Sequence, residues 1–262
     1  MDIIDFFKIK RAFPYWFGYD IMPIDKRLLL LKQCGINGLS IYWTNEYVDK
    51  NGDFYDVAKK AITLGLKVDS LHCTFNFSYL IWEDSIKGEE LYKSYLQAID
   101  SAKTLNCNIV VIHTNGAVLN KLLGLKRLNL LNQYANNNEI LLCVENLQIE
   151  DNLDIVLKGT DLSLCFDFGH DNIRCFKDFD LYNNRIRYLH IHDNHGVRDE
   201  HLPINWGNCL YDKIIKKLEY NSIEGMLLEM HYNPMYNGHL VANEYIKIAN
   251  ASIDALRINQ GK

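Results

Sequence analysis

Six apolar runs of the sequence carry, at or near their C-terminal ends, a side chain that can ligate a metal ion or move a proton. Lys67–His72 ends in His72 and Asn108–His113 in His113. Ile140–Glu145 ends in Glu145, and Leu162–Asp167 in Asp167 with His170 three residues further on. Arg187–His192 holds His190 and His192, and Glu224–Met230 carries Glu229. Glu145 and Asp167 follow Leu141-Leu142-Cys143-Val144 and Leu162-Ser163-Leu164-Cys165-Phe166. A carboxylate set that deep must be paired or metal-bound, because an isolated buried charge is prohibitive. Imidazole and carboxylate donors together suit divalent zinc, manganese, cobalt or iron and do not separate them.

The elements that carry these residues alternate. Two further β-rich runs, Phe13–Gly18 and Gly38–Trp43, precede the six. Amphipathic stretches lie between the runs: Lys26–Cys34, Phe54–Leu64, Glu90–Leu105, Leu122–Asn136, Asn208–Leu218 and Glu244–Ile258. Eight β-then-α units fit an open doubly wound sheet or a closed barrel. In a flat sheet of sequential order the third and eighth strands would lie roughly 24 Å apart, too far for one ion cluster. Closure brings all six ends round one axis, so the expected fold is α/β, a single-domain (β/α)₈ TIM barrel over residues 1–262.

Composition narrows the function. The 262 residues are 48 % hydrophobic and 23 % charged, with a formal charge of −5, which gives no global attraction to nucleic acid or anionic lipid. No apolar run approaches the roughly 18–20 residues of a membrane-spanning helix. The acidic start Met-Asp-Ile-Ile-Asp leads into no apolar signal region. Seven scattered cysteines form no C-x-x-C pair, which suits a reducing cytoplasm.

Several segments together resemble the sugar isomerase/epimerase superfamily with a xylose-isomerase-like barrel, which also includes endonuclease IV. They are Val144-Glu145-Asn146, Cys165-Phe166-Asp167-Phe168-Gly169-His170, His190-Ile191-His192-Asp193-Asn194-His195-Gly196, Asp199-Glu200-His201-Leu202-Pro203 and Leu227-Leu228-Glu229. The resemblance implies one shared divalent ion on Glu145, Asp167, His190 or His192, and Glu229. The extra ligands of the three-zinc cluster of endonuclease IV resemble His72, His113, His170, Asp199 and His201. The segment Arg198–His201 also reads as an ordinary solvated charge run.

Two chemistries follow from the resemblance. In a metal-dependent isomerase or epimerase acting on a small sugar or sugar phosphate, Glu145 and Glu229 would flank the substrate and move the proton next to its carbonyl. His113 and His170 would then bind hydroxyls, and Arg198 a distal hydroxyl or phosphate. Trp43, Phe75 and Trp206 would pack on the C–H faces of the sugar. The alternative is a zinc phosphodiesterase acting at abasic DNA sites. Few cations lie in the strand-to-helix loops, and Cys73-Thr74-Phe75-Asn76 does not reproduce the spacing of that enzyme's intercalating residues, which argues against a nucleic-acid partner. A third class is a metal-bearing barrel that only binds. Oligomeric state stays open, a homo-oligomer included.

Overall fold

The computed structural model describes residues 9–17, 22–43, 54–149, 152–219, 222–232 and 240–258. Eight parallel strands close into a barrel in sequence order: β1 (Arg11–Pro14), β2 (Gly38–Trp43), β3 (Lys67–Cys73), β4 (Ile109–Ile112), β5 (Leu141–Glu145), β6 (Ser163–Asp167), β7 (Ile186–Ile191) and β8 (Gly225–Leu228). Closure is made by β1 against β8, with Arg11 opposite Met226 and Ala12 opposite Leu227. The helices are α1 (Ile24–Gln33), α2 (Phe54–Thr63), α3 (Ile86–Thr104), α4 (Lys121–Asn137), α5 (Leu153–Gly159), α6 (Phe168–Ile173), α7 (Phe179–Tyr182), α8 (Tyr211–Ile215) and α9 (Ala242–Ile258).

Most boundaries fall where apolar periodicity places them, and the exceptions have local causes. The first strand lies earlier than Phe13–Gly18: it ends at Pro14, Tyr15–Phe17 form a turn, and Gly18 lies outside the described residues. α3 begins at Ile86 rather than Glu90 because the Ser85 side chain accepts from the Gly88 N–H, capping the first turn. The expected Asn208–Leu218 helix shrinks to Tyr211–Ile215, since Asn208 and Cys209 donate their N–H groups to the loop after β7. The short helices α5, α6 and α7 are too brief to show an apolar stripe in sequence. Among the described residues no helix is long and apolar enough to cross a membrane.

Strand alternation sorts the residues into two cores. Outward side chains join the helices in one large apolar layer. Inward ones form a smaller cluster of Ala12, Ile109, Val111, Cys143, Cys165, Tyr188 and Leu227, which plugs the barrel. Two residues beyond five members of this plug, on the same inward parity, stand His113, Glu145, Asp167, His190 and Glu229. Ser70, bonded to Ser40 and Tyr188 across the interior, precedes His72 in the same way. The plug is the floor, and the next layer is the site.

Candidate metal centre at the barrel mouth

Each functional side chain is delivered by the end of a strand or the loop that follows it. Asn146, just past β5, accepts from the Asp167 N–H at 2.7 Å and donates to the Asp167 carbonyl at 2.9 Å, which ties the ends of β5 and β6 together. Asp167 in turn caps α6, accepting the His170 N–H at 2.7 Å. Asp193 anchors the long loop after β7, its carboxylate accepting the N–H groups of Asn194 (2.9 Å), Asn205 (2.9 Å) and Cys209 (3.0 Å). That loop presents Asp199 and His201 to the mouth. A Cβ at Gly169 would overlap the His192 ring, and one at Gly207 would overlap the Asn194 backbone, so both positions require glycine for close approach.

Among the described residues three groups of donors result. His72, Glu145, His190 and Glu229 converge, all buried. Asp167, His170 and His192 form a second group, and His192, Asp199 and His201 a third. His190 Nδ1 lies 2.9 Å from Glu229 Oε2, 3.2 Å from Glu145 Oε1 and 3.7 Å from Asp167 Oδ2. His192 Nε2 is 3.1 Å from Asp167 Oδ1 and 3.5 Å from Asp199 Oδ1. The two strand-seven histidines therefore serve different groups, a division their shared inward parity leaves open. His113 Nε2 stands 3.1 Å from Glu145 Oε2. Asp199 Oδ2 lies between His170 Nε2 (3.2 Å) and His201 Nε2 (3.1 Å).

The donor chemistry fits divalent ions. Backbone carbonyls only accept, so Nδ1 of His72, His170 and His201 must carry the proton it directs at Cys73 O (3.2 Å), Asn146 O (2.9 Å) and Glu229 O (2.7 Å). Each ring then turns its Nε2 toward carboxylates, where an ion could take the place of a proton, the arrangement that outer partners impose on metal-binding histidines. His190 Nδ1 and Glu229 Oε2, although 2.9 Å apart, are buried without hydrogen-bonding geometry. Both atoms belong to the group His72, Glu145, His190 and Glu229, whose donors lie close enough together to share an ion.

Electrostatics agree. Burial alone would raise the Glu145 carboxyl, but His190 and the bonds from His113 and His170 hold it well below the usual range. Glu229 and Asp199 are likewise held down against burial, the first chiefly by His190 and the second by His201. Burial opposes charge on His201, yet Asp199 and Glu229 raise it to about 9. The negative charge of the pocket is thus balanced by protons that a cation would replace.

The structure separates the expected substrate contacts. Phe75 stands edge-on to His113, with ring centroids 5.9 Å apart. Trp43 is only 2 % exposed and packs on Phe54 of α2. This corrects the expectation of a sugar contact there, since period two turns Tyr42 inward against His72 and Trp43 outward. Arg198 is exposed beside Glu200 on the β7 loop, and Trp206 lies edge-on to Tyr245 of α9. Sequence reasoning missed His231 and Trp16. Both continue the inward parity of their strands, His231 two residues after Glu229 and Trp16 four after Ala12, and that extension is the signal that finds them. His231 is half-buried, and its ring is held down to about 3, first by desolvation and then by His201.

Comparison with known proteins gives the same architecture. The chain is 27 % identical over 113 residues to an uncharacterized protein of Methanocaldococcus jannaschii, a match covering 40 % of this chain and 39 % of that relative's length. A sugar phosphate isomerase/epimerase from Parabacteroides distasonis superposes with a TM-score of 0.70 at 19 % identity, covering 94 % of each chain. D-allulose 3-epimerase from a Methylomonas species, solved with D-allulose, superposes with a TM-score of 0.68 at 12 % identity, covering 95 % of this chain and 96 % of that one. At such identities the likeness to the solved structures is one of fold. Residues 28–257 match the family described as xylose isomerase-like TIM barrel, and with the closed barrel in sequence order the conclusion is that the chain belongs to that family.

Proposed function

We propose that this protein is a cytoplasmic, divalent-metal-dependent isomerase or epimerase of a small sugar or sugar phosphate. The observation that carries the reading is the placement of Glu145 and Glu229 around His190, at 3.2 and 2.9 Å from its Nδ1, at the mouth of a closed barrel. Glu145, Asp167, His190 and Glu229 would hold the ion. A divalent ion bound there would polarise the substrate carbonyl and the neighbouring hydroxyl. The chain's own residues do the rest. Both glutamates are ionised at neutral pH, so either can accept a proton from the carbon next to the carbonyl. In isomerisation the same glutamate returns that proton to the adjacent carbon; in epimerisation the opposite glutamate takes a proton from solvent and delivers it to the other face of that carbon, while the first releases its own proton to solvent. His113, on Glu145 Oε2, orients that carboxylate, and Phe75 covers His113 from the loop after β3. The sugar epimerases that share this fold support the substrate class.

Glu145→Gln and Glu229→Gln should each lower exchange of the substrate C–H with deuterated solvent by at least about 100-fold, the scale of a lost general base. Near-normal exchange in both variants would overturn the proton relay.

One observation favours a second reading, a zinc phosphodiesterase acting at abasic sites. His192, Asp199 and His201 present an additional donor group beside the first, and His170 reaches the same Asp199 carboxylate. Metal counting with an abasic-duplex cleavage assay separates the two: three tightly held ions and strand cleavage favour the phosphodiesterase, and sugar C–H exchange without cleavage favours the isomerase.

A further inference from the structure

Trp16 and His231 take no part in the chemistry above, yet they make an ordered chain of contacts that ends on His201. The indole Nε1–H of Trp16 donates to His231 Nε2 at 2.7 Å. The His231 ring lies flat on the His201 ring, with centroids 4.2 Å apart and planes 9° apart. His192 covers the opposite face of His201 at 4.2 Å and 29°. The His231 N–H also donates to the His201 carbonyl at 3.0 Å. Trp16 itself is wedged edge-on against Tyr42 (5.9 Å) and His72 (5.8 Å), so its direction is set from β2 and β3.

We propose that Trp16 and His231 are positioning residues that hold the His201 imidazole, and with it the His192–Asp199–His201 group, in ligating orientation. This rests on reading that set as metal ligands. The bond from His201 Nδ1 to Glu229 O and the approach of Nε2 to Asp199 hold the two nitrogens, but leave the ring free to turn about the line that joins them. Two flat faces at 4.2 Å remove that freedom. His231 is itself held in place by Trp16. Its Nε2 accepts from Trp16, so its proton sits on Nδ1 and Nε2 is engaged as an acceptor rather than offered to an ion. The indole N–H thus selects the form of His231 that lies on a metal-binding imidazole without adding charge.

The test is a zinc titration of the full chain against a chromophoric chelator, with Asp199→Ala identifying the ion held by this set. His231→Ala should weaken that ion by about 10–100-fold, the usual effect of removing an outer partner of a ligand, and leave the Glu145–Asp167–His190–Glu229 ion unchanged. Trp16→Phe and His231→Phe, which keep the rings and lose the bond, should give smaller losses. His231→Gln should recover part of the loss, because its Oε1 can accept from Trp16. Unchanged affinities in His231→Ala, or equal weakening of both ions, would overturn the inference. The indole N–H of Trp16 in the metal-free protein supplies a readout independent of metal. If it is protected from exchange but wild type holds no ion that Asp199→Ala removes, the metal reading of the set fails and the inference with it. If it exchanges freely, the Trp16–His231 pair fails while the metal reading stands.

Discussion

The Nε2 of His201 faces Asp199 in competition with a proton. With His201 raised to about 9 in the metal-free protein, an ion reaches that nitrogen only as the proton leaves. Apparent affinity at the His192–Asp199–His201 group should therefore rise with pH by up to about tenfold per unit for the displaced His201 proton, a gain that ends above about pH 9. Competition titrations across that range check it, and a flat profile would contradict the pairing. The same shift bears on stability with a defined sign. A histidine whose folded value lies above its unfolded value of about 6.5 stabilises the fold fully below that pH. Without metal, this contribution is lost as pH rises through about 9.

At the scale of elements, the β7 loop shows how backbone geometry places a site. Asp193 is 1 % exposed and answers three N–H groups drawn from both ends of the loop. Asp193→Ala should leave those donors to find water at about 1–3 kcal/mol each where they stay buried. Hydrogen exchange should report faster amides over residues 194–209, together with loss of the ion that depends on Asp199. Slow exchange and full metal binding in that variant would show that the loop is held otherwise. Trp43, by contrast, belongs to the layer between barrel and helices. Trp43→Phe should lower Tm, through a cavity cost of about 1–3 kcal/mol, and leave KM for the sugar unchanged. A raised KM would return Trp43 to the substrate site.

For the molecule as a whole, the two ends of the barrel shift their carboxylates in opposite directions. The mouth gathers carboxylates held ionised by histidines. At the other end Asp69, facing Tyr188 and a pit of about 770 Å³ shared with Lys10, Lys67 and Arg187, is raised by burial against the pull of Tyr188 and the lysines. A raised carboxyl binds more protons folded than unfolded, so stability falls as pH rises from about 3.9 through its folded value, and the deficit persists above it. Asp69→Asn keeps an acceptor for Tyr188 and should raise Tm at neutral pH, with the gain vanishing in acid. Thermal unfolding at both pH values measures this, and an equal gain at both would point to packing instead.

Much of this was written in the chain. Inward parity, period two, put His72, His113, Glu145, Asp167, His190 and Glu229 on one side of their strands, and the impossibility of gathering six such ends on a flat sheet demanded closure. Amphipathic spacing marked the longer helices, because an apolar stripe needs several turns to show; the one-turn helices after β6 carry none. Tertiary structure decided the rest. His190 and His192 share a parity, and only the positions of Glu229 on β8 and Asp199 on the β7 loop send them to different donor groups. Trp43 faces the helices because its neighbour Tyr42 faces His72. The stack of His192, His201 and His231 joins β7, its loop and the end of β8, segments that are distant in sequence. A sequence fixes which side of its own strand a residue occupies. Which residues meet across the mouth depends on strand register and loop path, and those are set by packing among all eight units.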